Sequence, residues 1–542
     1  MLPTVFEGVC ILFVVWPLLR IFKRLLTRTT LDNVPGPAPE SWLTGNLTKL
    51  YDFNAFKTHR EIEETYGSIM KFYGVLGETQ LYVSDPRALH HIFVKDQDVF
   101  VEPEEYYAVN GIHFGEGILN SKGDKHRRHR KLLGPAFNIT QMRQLAPVFY
   151  EVTNKLKGSF EGKLLHGPEE IDILSWMTRI ALELMGQAGL GYSFDTLADG
   201  DAPGAFARAV KELFPTEDQM ILARQYILPW AMKIGPPGFR RYIVNHVPWK
   251  ALHDVRDIID TIEGYMMRIY RQKKEAFELG DDAVIGGKDI LTTLLKANAV
   301  DKDRMTEAEV IGNVRALVFA ALDTTSSALS ATLHMLAKNP DAQQRLREEV
   351  LKASNDDESI PYDTLVDLPF LDAVCRETLR LFPPLVTVPR VTATNAILPI
   401  ATPITGVDGR QLNEILIPAN TPIYSSVLSS NRNPAIWGPD TYEWKPERWI
   451  NGLPSTVKEA SIPGIYSHLM TFLGGGHSCI GFKFSQLEMK IVLAVLVKNF
   501  EFSPSIKDKD IFWETTSISS PALMVNGEKT HQLPLVVKSF KS

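Results

Sequence analysis

Phe472-Leu-Gly-Gly-Gly-His-Ser-Cys-Ile-Gly481 is the stretch on which the reading of this chain turns. Three consecutive glycines, Gly474 to Gly476, leave the backbone free to take positive φ and to lie flat against a large neighbour. Cys479 follows, and the apolar segment behind it, Ile480 to Phe500, has a helical pattern. A cysteine at a helix N-terminus sits beside unpaired N–H groups and the positive end of the dipole, which favours the metal-binding thiolate. The bland alternative is a tight turn before a helix, with Cys479 a buried, inert thiol. Two other Gly-rich readings fail on spacing: Phe482 stands where a P-loop needs Lys after Gly476 and Gly481, and Cys479 stands where a dinucleotide fingerprint begun at Gly474 needs its third Gly.

The loop resembles the haem-binding loop of the cytochrome P450 family, Phe-x-x-Gly-x-Arg-x-Cys-x-Gly. Phe472, Gly475, Cys479 and Gly481 match, and His477 replaces the Arg. The resemblance implies that Cys479 is the axial ligand of a haem b iron, that Phe472 shields the sulfur, and that Gly481 and the other glycines let the loop approach the porphyrin. In that family the thiolate pushes electron density toward O–O cleavage.

Upstream, Thr306-Glu-Ala-Glu309 is a capping box, and a helical pattern runs on to about Lys338, ahead of Pro340. Such a helix is about 48 Å long, enough to cross a domain. Its middle carries five polar residues in a row, Asp323-Thr-Thr-Ser-Ser327, between apolar flanks. Such residues compete for backbone hydrogen bonds and weaken or bend a helix, unless it merely exposes them to water. Ala320-Ala-Leu-Asp-Thr-Thr325 resembles the family's Ala-Gly-x-Asp/Glu-Thr-Thr/Ser, with Ala321 for Gly. By that match Thr324 hydrogen-bonds dioxygen and Asp323 relays protons. Splitting O–O needs two protons delivered into an otherwise dry site.

Phe370 to Phe382 reads as a helix ended by Pro383-Pro384, with Glu377 and Arg380 on one face. Lying about 100 residues before Cys479, with Pro446-Glu-Arg-Trp449 between, they resemble the family's Glu-x-x-Arg and Pro-Glu-Arg-Phe. The resemblance implies a buried triad of Glu377, Arg380 and Arg448 serving folding and haem retention. Val388-Pro-Arg390 resembles the strand that sends an Arg to a haem propionate. His477 would be a further partner there, weaker and more pH-sensitive than an Arg. By position, Leu385 to Val388 and Ile518 to Pro521 would line an apolar substrate pocket.

Gly123 to Lys131 holds five Lys or Arg in nine residues, a solvated basic face or a lipid anchor on composition alone. It resembles the family helix bearing Trp-x-x-x-Arg, with His126 in the Trp position and Arg130 matching. Residues four apart share a helix face, and the resemblance implies that Arg130, with His126 beside it, is directed at one haem propionate. The same basic surface is a candidate reductase-docking face. Tyr106 to Phe114 reads as an aromatic loop over an apolar cavity, and Phe214 to Ile234 resembles the family's mobile roof over the substrate. Near the start, Tyr51 to Tyr66 has a helical pattern ended by Gly67. Ile69 to Tyr73 and Gln80 to Val83 read as strands, and Asp85-Pro86 opens a helix.

Leu2 to Phe22 is interrupted only by Glu7 and Arg20 among charged residues, close to the roughly 20 apolar residues that span a bilayer. Arg20, Lys23, Arg24 and Arg28 follow, placing what comes next on the cytoplasmic side; a cleaved signal peptide would carry its charge before the apolar core. Val34-Pro-Gly-Pro-Ala-Pro39 reads as a stiff spacer and resembles the proline hinge of microsomal members.

With 542 residues, 44% hydrophobic and 23% charged, the chain is an ordinary globular composition. A net charge of −6 speaks against nucleic acid, and three scattered cysteines, Cys10, Cys375 and Cys479, exclude a disulfide framework. The expected architecture is a mainly α protein with a smaller β region: anchor and basic flank 1–28, proline-rich hinge 29–46, and one catalytic domain, 47–542, of the P450 fold. The implied activity is a haem-thiolate monooxygenase inserting one oxygen atom from O2 into a lipophilic small molecule, a terpenoid, steroid-like compound or other secondary metabolite as in the fungal members it resembles. About 60 residues follow Cys479, so no flavin domain is expected. Electrons are then expected from NADPH through a separate reductase at the endoplasmic reticulum membrane, with cytochrome b5 as a candidate second donor. Two rivals are a P450-like isomerase or dehydratase needing no reductase, against which Asp323-Thr324 argues, and a cysteine-nucleophile hydrolase built on His477 and Cys479.

Overall fold

The computed structural model describes residues 29–540 except 51–54, 201–203, 282–285, 355–358, 467, 516–517 and 526. The expected membrane anchor, residues 1–28, lies outside the described residues. The helix Glu307–Lys338 is the axis of the molecule. Thr306 accepts from the Glu309 N–H at 3.2 Å while the Glu309 carboxylate takes the Thr306 N–H at 2.9 Å, so the capping box closes as the sequence predicts. By length and composition this helix could cross a membrane, yet most of it is buried by protein. Around it pack the helices Ile173–Leu184, Pro369–Leu381, Phe482–Asn499 and Glu104–Phe114. Backbones touch at one point: a Cβ on Gly312 would lie 2.5 Å from the Gly117 nitrogen, and Asn313 Oδ1 accepts from Ile118 N at 2.7 Å beside it.

Glu104–Phe114 corrects an expectation, since Tyr106 to Phe114 is helical rather than a loop. Its apolar residues lack a single-face period because they are used on several sides. Phe114 meets Phe319 on the axial helix, Tyr107 donates to Glu102 and Tyr106 packs on Tyr107. Glu104 and Glu105 in the first turn favour the helix through its dipole, and Gly115 at φ +70° ends it.

Among the described residues the strands form four small sheets. The largest is ordered Ile69–Tyr73, Thr79–Val83, Pro422–Ser426, Thr387–Thr392, Phe100–Val101, with only the Thr79–Val83/Pro422–Ser426 pair parallel. Its register pairs Arg390 with Ile423 and Val101 with Val391, which brings Glu102 beside Arg390. Helix Ala55–Tyr66 precedes the first strand and Asp85 caps Pro86–His90, accepting from Arg87 and Ala88 at 3.0 Å.

The proline-rich stretch is non-helical, as its prolines require, and it is docked on this sheet. Lys71 N donates to Pro35 O at 2.8 Å, and Leu31 and Val34 are buried. Among the described residues one large hydrophobic core runs from Leu31 to Val537, with a small satellite cluster of Ile62, Met70, Phe72 and Tyr82, so the chain is a single domain, mainly α with smaller β content.

Candidate functional site

The glycine-rich loop turns as its composition predicts. Gly475 sits at φ +68°, and a Cβ there would lie 1.9 Å from Phe93 O. Cys479 N donates to Phe472 O at 2.9 Å, closing the loop ahead of helix Phe482–Asn499. Phe472 is buried in an aromatic group with Tyr466 and Phe482, at ring separations of 5.7 and 4.9 Å. The Cys479 side chain is accessible within a cleft. Burial there pushes its thiol up, with the Gly481 N–H and the Arg130 guanidinium pulling the other way. The helix start and Arg130 favour the metal-binding thiolate as the sequence suggests, but for the sulfur alone burial outweighs them. Cys375, by contrast, is sealed in the core, and burial pushes it up to about 12.

Cationic and imidazole groups gather beside the loop that carries this sulfur, and Arg130 acts on the sulfur itself. Arg130, on helix Gly123–Leu133, donates to Ser478 O at 2.5 Å. His126, one turn earlier, stacks on His477 with ring centroids 4.1 Å apart and planes 10° apart. Two of the departures from the family pattern, His126 for Trp and His477 for Arg, are therefore in direct contact. Burial first, then His477 and Arg130, push His126 down to about 4, and burial also lowers His477 against the pull of Glu102.

Sequence reasoning missed the carboxylate at the centre. Glu102 lies 3.2 Å from His477 Nδ1 and 3.3 Å from Arg390 Nη2, and accepts from Tyr107 OH at 2.7 Å. Burial would raise its pKa, but Arg390 and His477 prevail and hold it below the ordinary range. A lone Glu before Pro103 carries no motif; only the sheet register reveals it.

Asp323 and Thr324 share one turn of the axial helix. Thr324 Oγ1 donates to Ala320 O at 2.7 Å, and half-buried Asp323 is pushed up to about 6 by burial, tempered by Lys211. The rest of the polar run is buried rather than exposed: Ser327 Oγ donates to Ser519 O at 2.6 Å, which seats the start of strand Ser519–Val525 on this helix. Thr325 faces Glu488, also missed from sequence, a fully buried carboxyl on helix Phe482–Asn499 that burial holds well above the usual range.

The expected triad is formed. Arg380 grips Glu377 with two bonds, 2.9 and 2.8 Å, and Arg448 Nε lies at 3.4 Å. Trp449 adds a bond no Phe could make, Nε1 to Glu377 Oε2 at 2.9 Å, and Arg448 reaches Asp440 at 2.9 Å. The basic helix is less free than its composition suggested: Lys125 and Arg128 pair with Glu309, Arg127 with Asp124 and Lys131 with Asp301.

An accessible sulfur on a loop that tolerates no side chain at Gly475, flanked by Arg130, Arg390 and two imidazoles, fits a planar metal macrocycle carrying acidic arms. It does not fit a hydrolase dyad, because the ionisable side chain acting on the thiol is Arg130, while His477 faces Glu102.

A family model described as Cytochrome P450 matches residues 35–526. Cytochrome P450 monooxygenase 91 of Postia placenta is 46% identical over 98% of both chains. Cytochrome P450 monooxygenase 81 of the same fungus is 43% identical over 97% of this chain and 96% of its own. A ganoderic acid synthetase of Ganoderma lucidum is 39% identical over 96% of each.

Proposed function

The chain belongs to the cytochrome P450 family, and on that premise we propose that it oxidises a lipophilic secondary metabolite of terpenoid or steroid-like skeleton, drawing electrons from a separate NADPH-dependent reductase. It is a monooxygenase that uses haem with a cysteine thiolate, O2 and NADPH-derived electrons. When bound, the haem supplies activation of O2, one oxygen atom entering the substrate and the other leaving as water.

The chain's own residues have separate tasks. Cys479 supplies the sulfur ligand, and Gly475 keeps its loop flat enough to approach. Arg130, Arg390, His126 and His477 hold the acidic arms, with Glu102 orienting Arg390 and His477. Asp323, with its proton held to about pH 6, passes it toward Thr324 in a site whose apolar flanks exclude water. Glu377, Arg380 and Arg448 keep the supporting helix in place.

Membrane attachment at the endoplasmic reticulum through residues 1–28, with cytochrome b5 as a second electron donor, belongs to the same reading. A second apolar surface supports it: Leu222, Ile227, Trp230, Ile234 and Phe239 are all exposed, next to Lys233 and Arg240. The observation that carries the function is the accessible Cys479 sulfur with the cationic groups beside its loop. The test is the reduced, carbon-monoxide-treated protein. The wild type is expected to show the red-shifted Soret band of sulfur ligation and Cys479→Ser to lack it; a red-shifted band in the variant refutes the assignment. Turnover of a substrate without NADPH and reductase would favour the isomerase or dehydratase rival.

A further inference from the structure

Four helices, Glu104–Phe114, Ala205–Asp218, Lys250–Glu278 and the axial one, enclose a cavity walled by apolar side chains such as Val210, Leu213, Ile262 and Met266. One charged group lies in that wall. Arg315 is 7% exposed, yet its guanidinium is poorly matched. Nη2 donates to the His113 carbonyl, Nη1 is 3.7 Å from Glu263, a carboxylate more than half exposed, and Nε has no hydrogen-bond partner among the described residues. A guanidinium carries five N–H donors, and burying one unpaired is costly. Glu217, the buried acid bonded to the His113 ring, lies 3.8 Å from Arg224 and forms no ion pair with Arg315 among the described residues. The cavity therefore holds a cation with donors to spare.

Its position along the axial helix gives this meaning. Arg315, Phe319 and Asp323 recur every four residues and share one face, and Thr324 lies about 13.5 Å along the helix from Arg315. The Phe319 ring packs between, against Phe114 and Phe214. The cavity has room for about one water-sized group, so it takes the end of a molecule rather than its body.

We propose that Arg315 anchors the carboxylate of a lipophilic carboxylic acid, whose hydrocarbon body lies along the Phe319–Asp323 face and presents for oxidation a carbon about 13 Å away. The planar fork suits a carboxylate in two-point contact through Nε and the Nη2 N–H not given to the His113 carbonyl, which no apolar wall could select. The inference rests on the monooxygenase reading of the same site and adds the polar end of its substrate.

The test uses two rigid probes, dehydroabietic acid and lithocholic acid, each beside its methyl ester. Each is titrated into the full-length haem-loaded protein at pH 7.5, by ferric spin-state change and by equilibrium dialysis. The wild type is expected to bind at least one acid about tenfold or more tightly than its ester. Arg315→Leu is expected to bring that ratio to about one by weakening the acid alone, with Arg315→Lys in between. A ratio near one in the wild type, or a preference that survives in Arg315→Leu, overturns the assignment. Should Arg315→Leu fail to fold, the wild-type ratio and Arg315→Lys decide. Esters that shift the spin state without any acid preference would sink the Arg315 anchor and leave the monooxygenase reading standing. If neither acids nor esters bind or perturb the haem, the Arg315 anchor falls, while the monooxygenase reading is judged by the Cys479 spectrum.

Discussion

Trp449→Phe restores the residue of the family pattern, and it should nonetheless destabilise this protein. The indole N–H is one of two donors on Glu377 Oε2, the other being Arg380 Nε, both at 2.9 Å. Oε1 is held separately by Arg380 Nη2 at 2.8 Å and Lys445 N at 3.0 Å. A hydrogen bond to a charged group contributes about 1.5–3 kcal/mol, and because Oε2 keeps one donor the loss should fall at the low end. Shrinking an indole that packs on Trp437 at 5.7 Å adds a smaller packing term, for a total of about 2 kcal/mol. Urea unfolding of the haem-loaded protein, followed by far-UV circular dichroism and Soret absorbance, measures it as a lower midpoint at unchanged slope. A double-mutant cycle with Glu377→Gln isolates the pair: once the carboxylate charge is gone, Trp449→Phe should cost under about 0.5 kcal/mol. An unchanged midpoint in the single variant, or a cost undiminished in the Glu377→Gln background, refutes the reasoning.

Other outcomes follow from the same geometry. Asp323→Asn should slow turnover on the order of a hundredfold with substrate affinity kept, and should remove a rate decline above about pH 6, where the wild-type carboxyl loses its proton; a retained inflection would assign that titration elsewhere. Glu488 is neutral in the folded protein and ionised in the unfolded one, so its raised pKa makes stability fall as pH rises above the ordinary carboxylate range. Glu488→Gln should raise the melting temperature by an amount that grows from pH 5 to pH 8, and a pH-independent difference would contradict a buried, protonated acid. Gly475→Ala places a methyl against Phe93 O at φ +68°; it should cost about 1–3 kcal/mol and speed haem loss, measured by transfer to apomyoglobin, and an unaltered rate would show the loop less constrained than drawn.

Much of this protein is written in short-range grammar. The capping box at Thr306 and Glu309, the Asp85-Pro86 helix start, the glycine turn before Cys479 and the Glu377/Arg380 spacing each involve residues within a few positions of one another. Backbone sterics and local hydrogen bonding enforce such patterns wherever they occur, so they can be read without knowing the fold. Family resemblance then orders them along the chain, down to Trp449 for Phe and His477 for Arg, without saying what those replacements touch.

The partners of those replacements lie far away in sequence. His126 meets His477, Glu102 meets Arg390, Thr325 meets Glu488 and Arg315 meets the His113 carbonyl, at separations from about 160 to 350 residues except where Trp449 reaches Glu377. Tyr106 to Phe114 misled for the same reason, since a helix packed on several sides loses the one-face periodicity that betrays helices to a reader. Local preference is a property of a few consecutive residues; which side chains share a dry, charged cleft depends on how sheets register and helices cross, and no window along the chain contains that.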